Sequence, residues 1–339
     1  MPTDRNQESQ TDAVMAFATL DPNRLLDAVD LAGYRTDGRI SALNSYENRV
    51  YNIGMEDGSA RVVKFYRPGR WSDDALNEEH SFTDELASCD LPVIHAEGSS
   101  GQWLRQHDHF RFAVYPLAGG RPPELDNPDQ LETIGRAIAR LHAVGELTPF
   151  SARPTVALQK DAALAVEAVL ESDHVPSQMR DAYQSIATEL VDEVSKQVRD
   201  AANDFDMIRV HGDFHTGNIL WGSDETPHLL DFDDCLNGFA VQDLWMFLSG
   251  ERSYQQARLG DLLAGYCEFR EFDSRELALI EPLRAVRQLR FAAWLGQRWQ
   301  EPTFTRAFPY FGEARFWDSH ILALKEQRSA LDEKPLRWD

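Results

Sequence analysis

Apolar residues in the first third of the chain recur at every second position. Over residues 48–55, Tyr51, Ile53 and Met55 alternate with polar or small neighbours, which predicts a half-buried strand. Glu56-Asp57-Gly58-Ser59 has the composition of a hairpin turn, and Arg61-Val62-Val63-Lys64-Phe65-Tyr66 reads as the returning strand. Over 76–87 the period becomes helical, with Glu79, Phe82 and Leu86 on one face. A second hairpin is predicted over 102–115, turning near His107-Asp108-His109. Leu117-Ala118-Gly119-Gly120-Arg121-Pro122-Pro123 then breaks both periods and reads as a linker. Beyond it the pattern is mostly helical. Asn127-Pro128 supplies a cap and a first residue for a helix with Leu131, Ile134, Ile138 and Leu141 in one stripe. Further helices are predicted over 157–171, 177–200 and 240–333, interrupted by a short β segment at 207–231.

This order predicts an α+β fold of two lobes. A polar, disordered tail is expected at 1–18. A small β-rich, nucleotide-binding lobe is expected at 19–116, and a larger, mostly helical lobe at 117–339 that carries a buried hairpin. The linker falls at about 115–123.

Composition narrows the classes. The chain has 339 residues, enough for two domains, and a net charge of −22. With no basic stripe, no nucleic-acid partner is expected. The acidity favours solubility and basic partners. Cys89, Cys235 and Cys267 are far apart and form no C-x-x-C pair, as expected for reduced thiols in a cytosol. The N-terminus has no apolar h-region, and no apolar run is long enough to span a bilayer. A cytoplasmic protein with no membrane partner is expected.

The candidate chemistry sits in the interrupting β segment. His211-Gly212-Asp213-Phe214-His215-Thr216-Gly217-Asn218 is followed by Asp231 at the end of an apolar run. The hairpin over Ile219-Leu220-Trp221 and His228-Leu229-Leu230-Asp231 would bring Asn218 and Asp231 close enough to share one metal. Magnesium takes hard oxygen ligands and keeps waters, so one amide, one carboxylate and substrate phosphates suffice. A further carboxylate, Asp213, would orient the acceptor hydroxyl, which completes the set that phosphoryl transfer needs. Lys64 is one of only five lysines and lies in the middle of an apolar strand, where a compact ammonium can reach phosphates. Glu79, on the apolar face of the next helix, would pair with it; Glu78 competes for that role. His211-x-Asp213-x-His215 with Asp231, Asp233 and Asp234 also admits a metal-dependent hydrolase, although that reading leaves Asn218 and Lys64 unused. Asp243 is expected as a helix cap or as a buried brace for the catalytic loop.

The segment from His211 to Asn218, with Asp231, resembles the catalytic segment of aminoglycoside phosphotransferase-like kinases, which have the protein-kinase fold. Asn44-Ser45-Tyr46-Glu47-Asn48-Arg49-Val50-Tyr51, Val62-Val63-Lys64-Phe65-Tyr66-Arg67-Pro68 and Val241-Gln242-Asp243-Leu244-Trp245-Met246 are similar to a bacterial stress-kinase branch of that family. The resemblance implies Mg2+ as cofactor and ATP as co-substrate. It implies Asp213 as catalytic base, and Asn218 and Asp231 as magnesium ligands, with Asp231 also counted as catalytic. Lys64 would hold the α- and β-phosphates, oriented by Glu79. Ser45 would lie near ATP, and Val114-Tyr115-Pro116-Leu117 would be the hinge that receives adenine, with Tyr115 and Leu117 at the nucleotide. The branch is regarded as serine/threonine protein kinases of the stress response, so protein substrates are expected; separately, the chain is expected to be a monomer. The same family contains kinases of small alcohols such as homoserine, choline or aminoglycosides.

The departures from ordinary protein kinases are specific. Residues 44–51 contain no glycine, so the phosphate loop needs another scaffold. His-Gly-Asp replaces His-Arg-Asp, and Asp231-Phe232-Asp233 lacks the glycine. Nine residues separate Asp231 from Val241, which leaves no room for a phosphorylated activation loop.

Overall fold

Alternation over residues 48–65 produces a hairpin, and the hairpin sits at the heart of a sheet. The computed structural model describes residues 17–98, 101–201 and 205–338. They fall into two units. The first contains the chain up to Pro123, Phe150–Arg153 and Thr216–Cys235; the second contains Glu124–Pro149, Pro154–His215 and the chain from Leu236 onward. The segment with Asn218 and Asp231 was expected inside a single lobe at 117–339. It belongs instead with the first unit, where Leu229 pairs with Val93 and Trp221 with Arg121.

In the first unit, helix α1 (Pro22–Leu31) precedes strands β1 (Thr36–Ala42), β2 (Arg49–Met55) and β3 (Ala60–Phe65), helix α2 (Asp73–Ser88), and strands β4 (Arg105–His107) and β5 (Phe110–Pro116). The five strands form one antiparallel sheet in the order β1-β2-β3-β5-β4. On one face Ile53, Met55, Val63, Phe65, Phe112 and Val114 pack with Leu25, Ala28 and Val29 of α1. Because side chains alternate across a strand, Lys64 and Tyr66 point to the other face. There Tyr66 packs with Leu76 of α2 and with Ala113. Asp108, at φ 51°, makes the tight turn between β4 and β5. The strands Ile219–Trp221 and Pro227–Leu229 form a separate hairpin.

Most of the expected tail at 1–18 lies outside the described residues. At its end, Phe17–Thr19 form a 3-10 turn, and Phe17 is buried in the sheet's core, so order begins before residue 19. Helix α1 and strand β1 were not foreseen. Strand β1 is exposed along most of its length and carries no alternating apolar pattern.

The second unit is mainly helical: α3 (Pro128–Gly145), α4 (Leu158–Glu171), α5 (Ser177–Ala201), α6 (Arg252–Tyr266), α7 (Ile280–Arg298), α8 (Pro302–Ala307) and α9 (Ala314–Ala330). Asn127 caps α3 as its sequence suggests, accepting hydrogen bonds from the amides of Asp129 and Gln130. Helices α3 and α6 cross closely at two glycines. A side chain at Gly135 would strike the Leu262 carbonyl, and one at Gly265 would strike the Glu132 carbonyl. Strand Ile208–Val210 pairs with Leu236–Gly238. The helix expected around 244–248 is instead a pair of one-turn 3-10 segments, Ala240–Asp243 and Trp245–Phe247. Its residues are buried on almost every side, so there is no solvent face to give a helical period. Among the described residues no helix is long and apolar enough to cross a membrane.

Candidate active site

In the first unit, one lysine faces several carboxylates. Lys64 Nζ lies 2.8 Å from Asp231 Oδ1, 3.4 Å from Asp233 Oδ1 and 3.9 Å from Glu79 Oε1, with its side chain almost wholly buried. Burial alone would depress the ammonium, but Asp231, Asp233 and Glu79 outweigh it and hold Lys64 firmly charged. Helix α2 presents Glu79 on its buried stripe together with Ala75, Leu76, Phe82 and Leu86. Burial raises the Glu79 carboxyl, and Lys64 and Arg153 pull it back only partly.

Glu79 is therefore the partner of Lys64, and Glu78 does something else. Its carboxylate accepts hydrogen bonds from the backbone amides of Ser151, Ala152 and Arg153 at 2.7, 2.9 and 2.8 Å. That anchors Arg153, which donates to Glu79 Oε2 at 2.5 Å, to the Ala75 carbonyl and to the Asp233 carbonyl. The Trp71 ring covers the guanidinium at 4.5 Å. Glu79 thus has a cation on each side, which a buried carboxylate requires.

Asp231 adopts φ 62° and ψ 65°, a left-handed conformation that is unfavourable for a side-chain-bearing residue. The next residue, Phe232, is buried edge-on against Phe82 of α2, fixing the backbone there. The Leu230 amide donates to the Asn218 carbonyl at 3.1 Å, so the two ends of the hairpin are held together. Asn218 and Asp231 thereby offer an amide and a carboxylate, hard oxygen donors suited to magnesium.

The glycine-free loop has its own scaffold. Arg67 donates from Nε to the Glu47 carbonyl at 2.9 Å and from Nη2 to the Tyr46 carbonyl at 3.2 Å. Its backbone amide donates to Asn48 Oδ1, and Asn48 Nδ2 donates to Asp233 Oδ2 at 3.1 Å. Arg70 pairs with both Asp233 and Asp234. Burial would raise the Asp233 carboxyl, yet Lys64, Arg70 and Arg153 bring it down to about 2. Asp233 is the residue that replaces the usual glycine, and it ties the loop to the segment that carries Asp231. Ser45 sits half-buried in that loop. Tyr115 lies on β5 opposite Val62, with its hydroxyl turned inward to the Tyr66 hydroxyl at 2.9 Å. The Tyr66 hydroxyl in turn meets His80 Nε2 of α2 at 3.0 Å. Leu117, just past the strand, is half-exposed.

In the second unit, Asp213 ends a braced turn. Asp243 accepts hydrogen bonds from the amides of His211 at 2.7 Å and Gly212 at 2.9 Å. The Gln242 side-chain amide donates to the Gly212 carbonyl at 2.7 Å. Gly212 has φ 86°, which explains glycine where ordinary kinases have arginine. Behind Asp243 stands His142 of α3, wholly buried, with Nε2 3.1 Å from Asp243 Oδ2 and Nδ1 2.9 Å from the Tyr266 hydroxyl. Burial lowers the His142 imidazole against the pull of Asp243, so it stays neutral. Asp243 is a brace and not a helix cap.

The Asp213 carboxylate receives Arg287 Nη1 at 2.7 Å and lies 3.5 Å from His215 Nε2. Burial would push its carboxyl up, but His215 and Arg287 outweigh burial and hold it well below the ordinary range. It is ionised at neutral pH. His211 packs its ring against Phe214. Among the described residues no group of three or more His, Cys, Asp and Glu side chains is placed to hold a metal ion, so the geometry lends the hydrolase reading no support.

Arg70, Arg153, His142 and Arg287 escaped sequence reasoning, and Asn48, Arg67 and Asp233 were singled out there without the roles they have here. The Arg67-Pro68 pair after β3 and the second acid of Asp231-Phe232-Asp233 were visible signals. His142 gave none beyond being a histidine in an apolar helix.

The chain is similar to known proteins. Residues 39–282 match the phosphotransferase enzyme family. Stress response kinase A of Escherichia coli (strain K12) is 41% identical over 325 residues, covering 96% of this chain and 98% of that protein. Serine/threonine protein kinase RdoA of Salmonella typhimurium (strain LT2) is 40% identical over 326 residues, with 96% and 98% covered. Among solved structures, amicoumacin kinase hAmiN in complex with AMP-PNP, Ca2+ and Ami gives a TM-score of 0.70 at 19% identity, covering 96% of this chain and 97% of that one. A microcompartment-associated aminopropanol kinase gives 0.66 at 18%, covering 90% and 98%. The α+β, kinase-like fold is common to them, and the chain belongs to the phosphotransferase enzyme family and is a kinase.

Proposed function

We propose that this kinase uses Mg-ATP to phosphorylate serine or threonine hydroxyls of proteins in a bacterial stress response. The observation that carries the chemistry is Asp213, an ionised carboxylate on a braced turn, five residues before Asn218 and eighteen before Asp231. Asn218 and Asp231 would hold magnesium, which when bound neutralises charge on the phosphates. Lys64, kept charged by its carboxylates, binds the α- and β-phosphates, while Glu79 and Arg153 fix its position. Asp213 accepts the proton of the acceptor hydroxyl. The acceptor oxygen then bonds to the γ-phosphorus as the bond to the β,γ-bridging oxygen breaks, and ADP leaves. Catalysis is by positioning and charge stabilisation.

Support for a protein acceptor comes from the Salmonella relative, whose name is serine/threonine protein kinase, at 40% identity. The solved neighbours named for small substrates are 18–19% identical and inform the fold only. The test offers labelled ATP with a cell lysate, choline, homoserine and aminoglycosides in parallel, read by mass spectrometry, with Asp213→Asn as control. Phosphoserine or phosphothreonine in proteins, absent with the variant, is expected. Efficient transfer to a small alcohol with none to protein would overturn the reading.

A further inference from the structure

Between Pro282 and Gln300 the chain carries four arginines, Arg284, Arg287, Arg290 and Arg298, and no carboxylate, in a protein of net charge −22. Almost all of this stretch is helix α7. Its buried side is apolar, with Leu283, Val286, Leu289 and Ala293 inside. Arg284 is occupied by Glu281 and by the Leu248 carbonyl. Arg287 is different. It donates one nitrogen to Asp213 and leaves half of its side chain in solvent. The Trp245 ring lies 6.0 Å from the guanidinium carbons of both Arg284 and Arg287, a flat apolar support that stiffens them. Arg290 is exposed, and among the described residues no carboxylate is within ion-pair distance of it.

Residues three apart on a helix are surface neighbours, so Arg290 lies beside Arg287 and about 4.5 Å further along the axis. An acceptor hydroxyl that reaches Asp213 must come close to Arg287. An extended peptide advances about 3.3 Å per residue. A peptide that runs along the helix would carry its neighbouring positions over Arg287 and then Arg290.

We propose that Arg287 and Arg290 form an anion-reading edge beside the phosphorylation base, selecting polypeptides with Asp or Glu within about three residues of the acceptor serine or threonine. The inference rests on the protein-kinase reading above and narrows it. Net acidity would favour basic polypeptides at long range. Inside a Debye length of about 8–10 Å, however, the nearest charges decide, and here they are two guanidinium groups with donors to spare. Long-range repulsion then slows the approach of an acidic peptide without reversing the choice made at contact.

The experiment uses the full chain, Mg-ATP and three serine peptides that differ only in flanking Asp, Ala or Lys, with choline and homoserine offered in parallel. The kcat and KM are measured separately for the wild type, Arg290→Glu and Arg136→Gln. The last removes one positive charge from a surface pair on α3. The wild type should prefer the Asp peptide over the Lys peptide by about tenfold in kcat/KM, mainly through KM. Arg290→Glu should abolish or invert that preference, and Arg136→Gln should keep it. Equal use of the three peptides by the wild type, or an Asp preference that survives Arg290→Glu, would overturn the inference and leave the protein-kinase reading standing. Phosphorylation of a small alcohol and of none of the peptides would bring down both.

Discussion

The two candidate half-sites are held in opposite ways. Around Lys64, charge answers charge: Asp231, Asp233 and Glu79 face the lysine, and Arg70 and Arg153 answer the carboxylates. Around Asp213, backbone geometry is held by one buried carboxylate, Asp243, with a neutral histidine behind it. The difference follows from what each must meet. A lysine that receives a triphosphate must already be charged, so its burial has to be compensated before the ligand arrives. A base that receives one proton needs its atom in a fixed place: hydrogen bonds to Asp243 fix the turn, and an ion pair with Arg287 holds the carboxylate itself.

The sharpest way to break the comparison is at the base. Asp213→Asn removes the proton acceptor and leaves every residue around Lys64 unchanged. Turnover should fall by about 10²–10⁴, with Mg-ATP binding largely kept. If turnover stays within about threefold of wild type, Asp213 is not the base. Lys64→Arg probes the other half. Charge is preserved, but a planar guanidinium cannot fit 2.8, 3.4 and 3.9 Å from three carboxylates in a buried place shaped for an ammonium. A loss of about 10²-fold in kcat/KM is expected, with a weaker affinity for nucleotide in direct titration. Near-full activity would mean that the lysine makes no demanding contact with phosphate.

The same contrast governs what could be read from the sequence. Asp213, Asn218 and Asp231 stand out because they crowd into one short segment. The β2–β3 hairpin stands out because its alternation is local, and Asn127-Pro128 because a cap is a local device. The partners that make the site work are remote. Asn48 and Arg70 are 185 and 163 residues from Asp233, and His142 is 101 from Asp243. Nothing near Arg70 or Arg153 marks it as the answer to a buried carboxylate. The placement of the Asn218–Asp231 hairpin with the first unit was hidden for a related reason. Chain order does not say where a segment returns, and an apolar strand packs equally well on a sheet or a helix. Strand β1 lacked the one signal that identifies strands, since it buries almost nothing.

A smaller effect tests whether the turn that carries Asp243 is pinned from behind by a neutral group. Glu276 accepts a hydrogen bond from the Val241 amide at 2.8 Å, pinning the 3-10 turn that also carries Asp243. Burial raises its carboxyl to about 7, with the Val241 amide and Arg270 pulling the other way. Its unfolded value is about 4.5. Between those two values the folded chain holds a proton that the unfolded chain has lost. Stability should therefore fall as pH rises through the window and level off above it, by at most about 3 kcal/mol. Glu276→Gln keeps an acceptor for Val241 and has nothing to ionise. Relative to wild type, it should be nearly neutral at pH 5 and more stable by about 1–3 kcal/mol at pH 8, measured by denaturant unfolding. The difference between the two chains cancels every other titrating group. If that difference is the same at both pH values, Glu276 is ionised in the fold, and the turn is pinned by a second buried carboxylate.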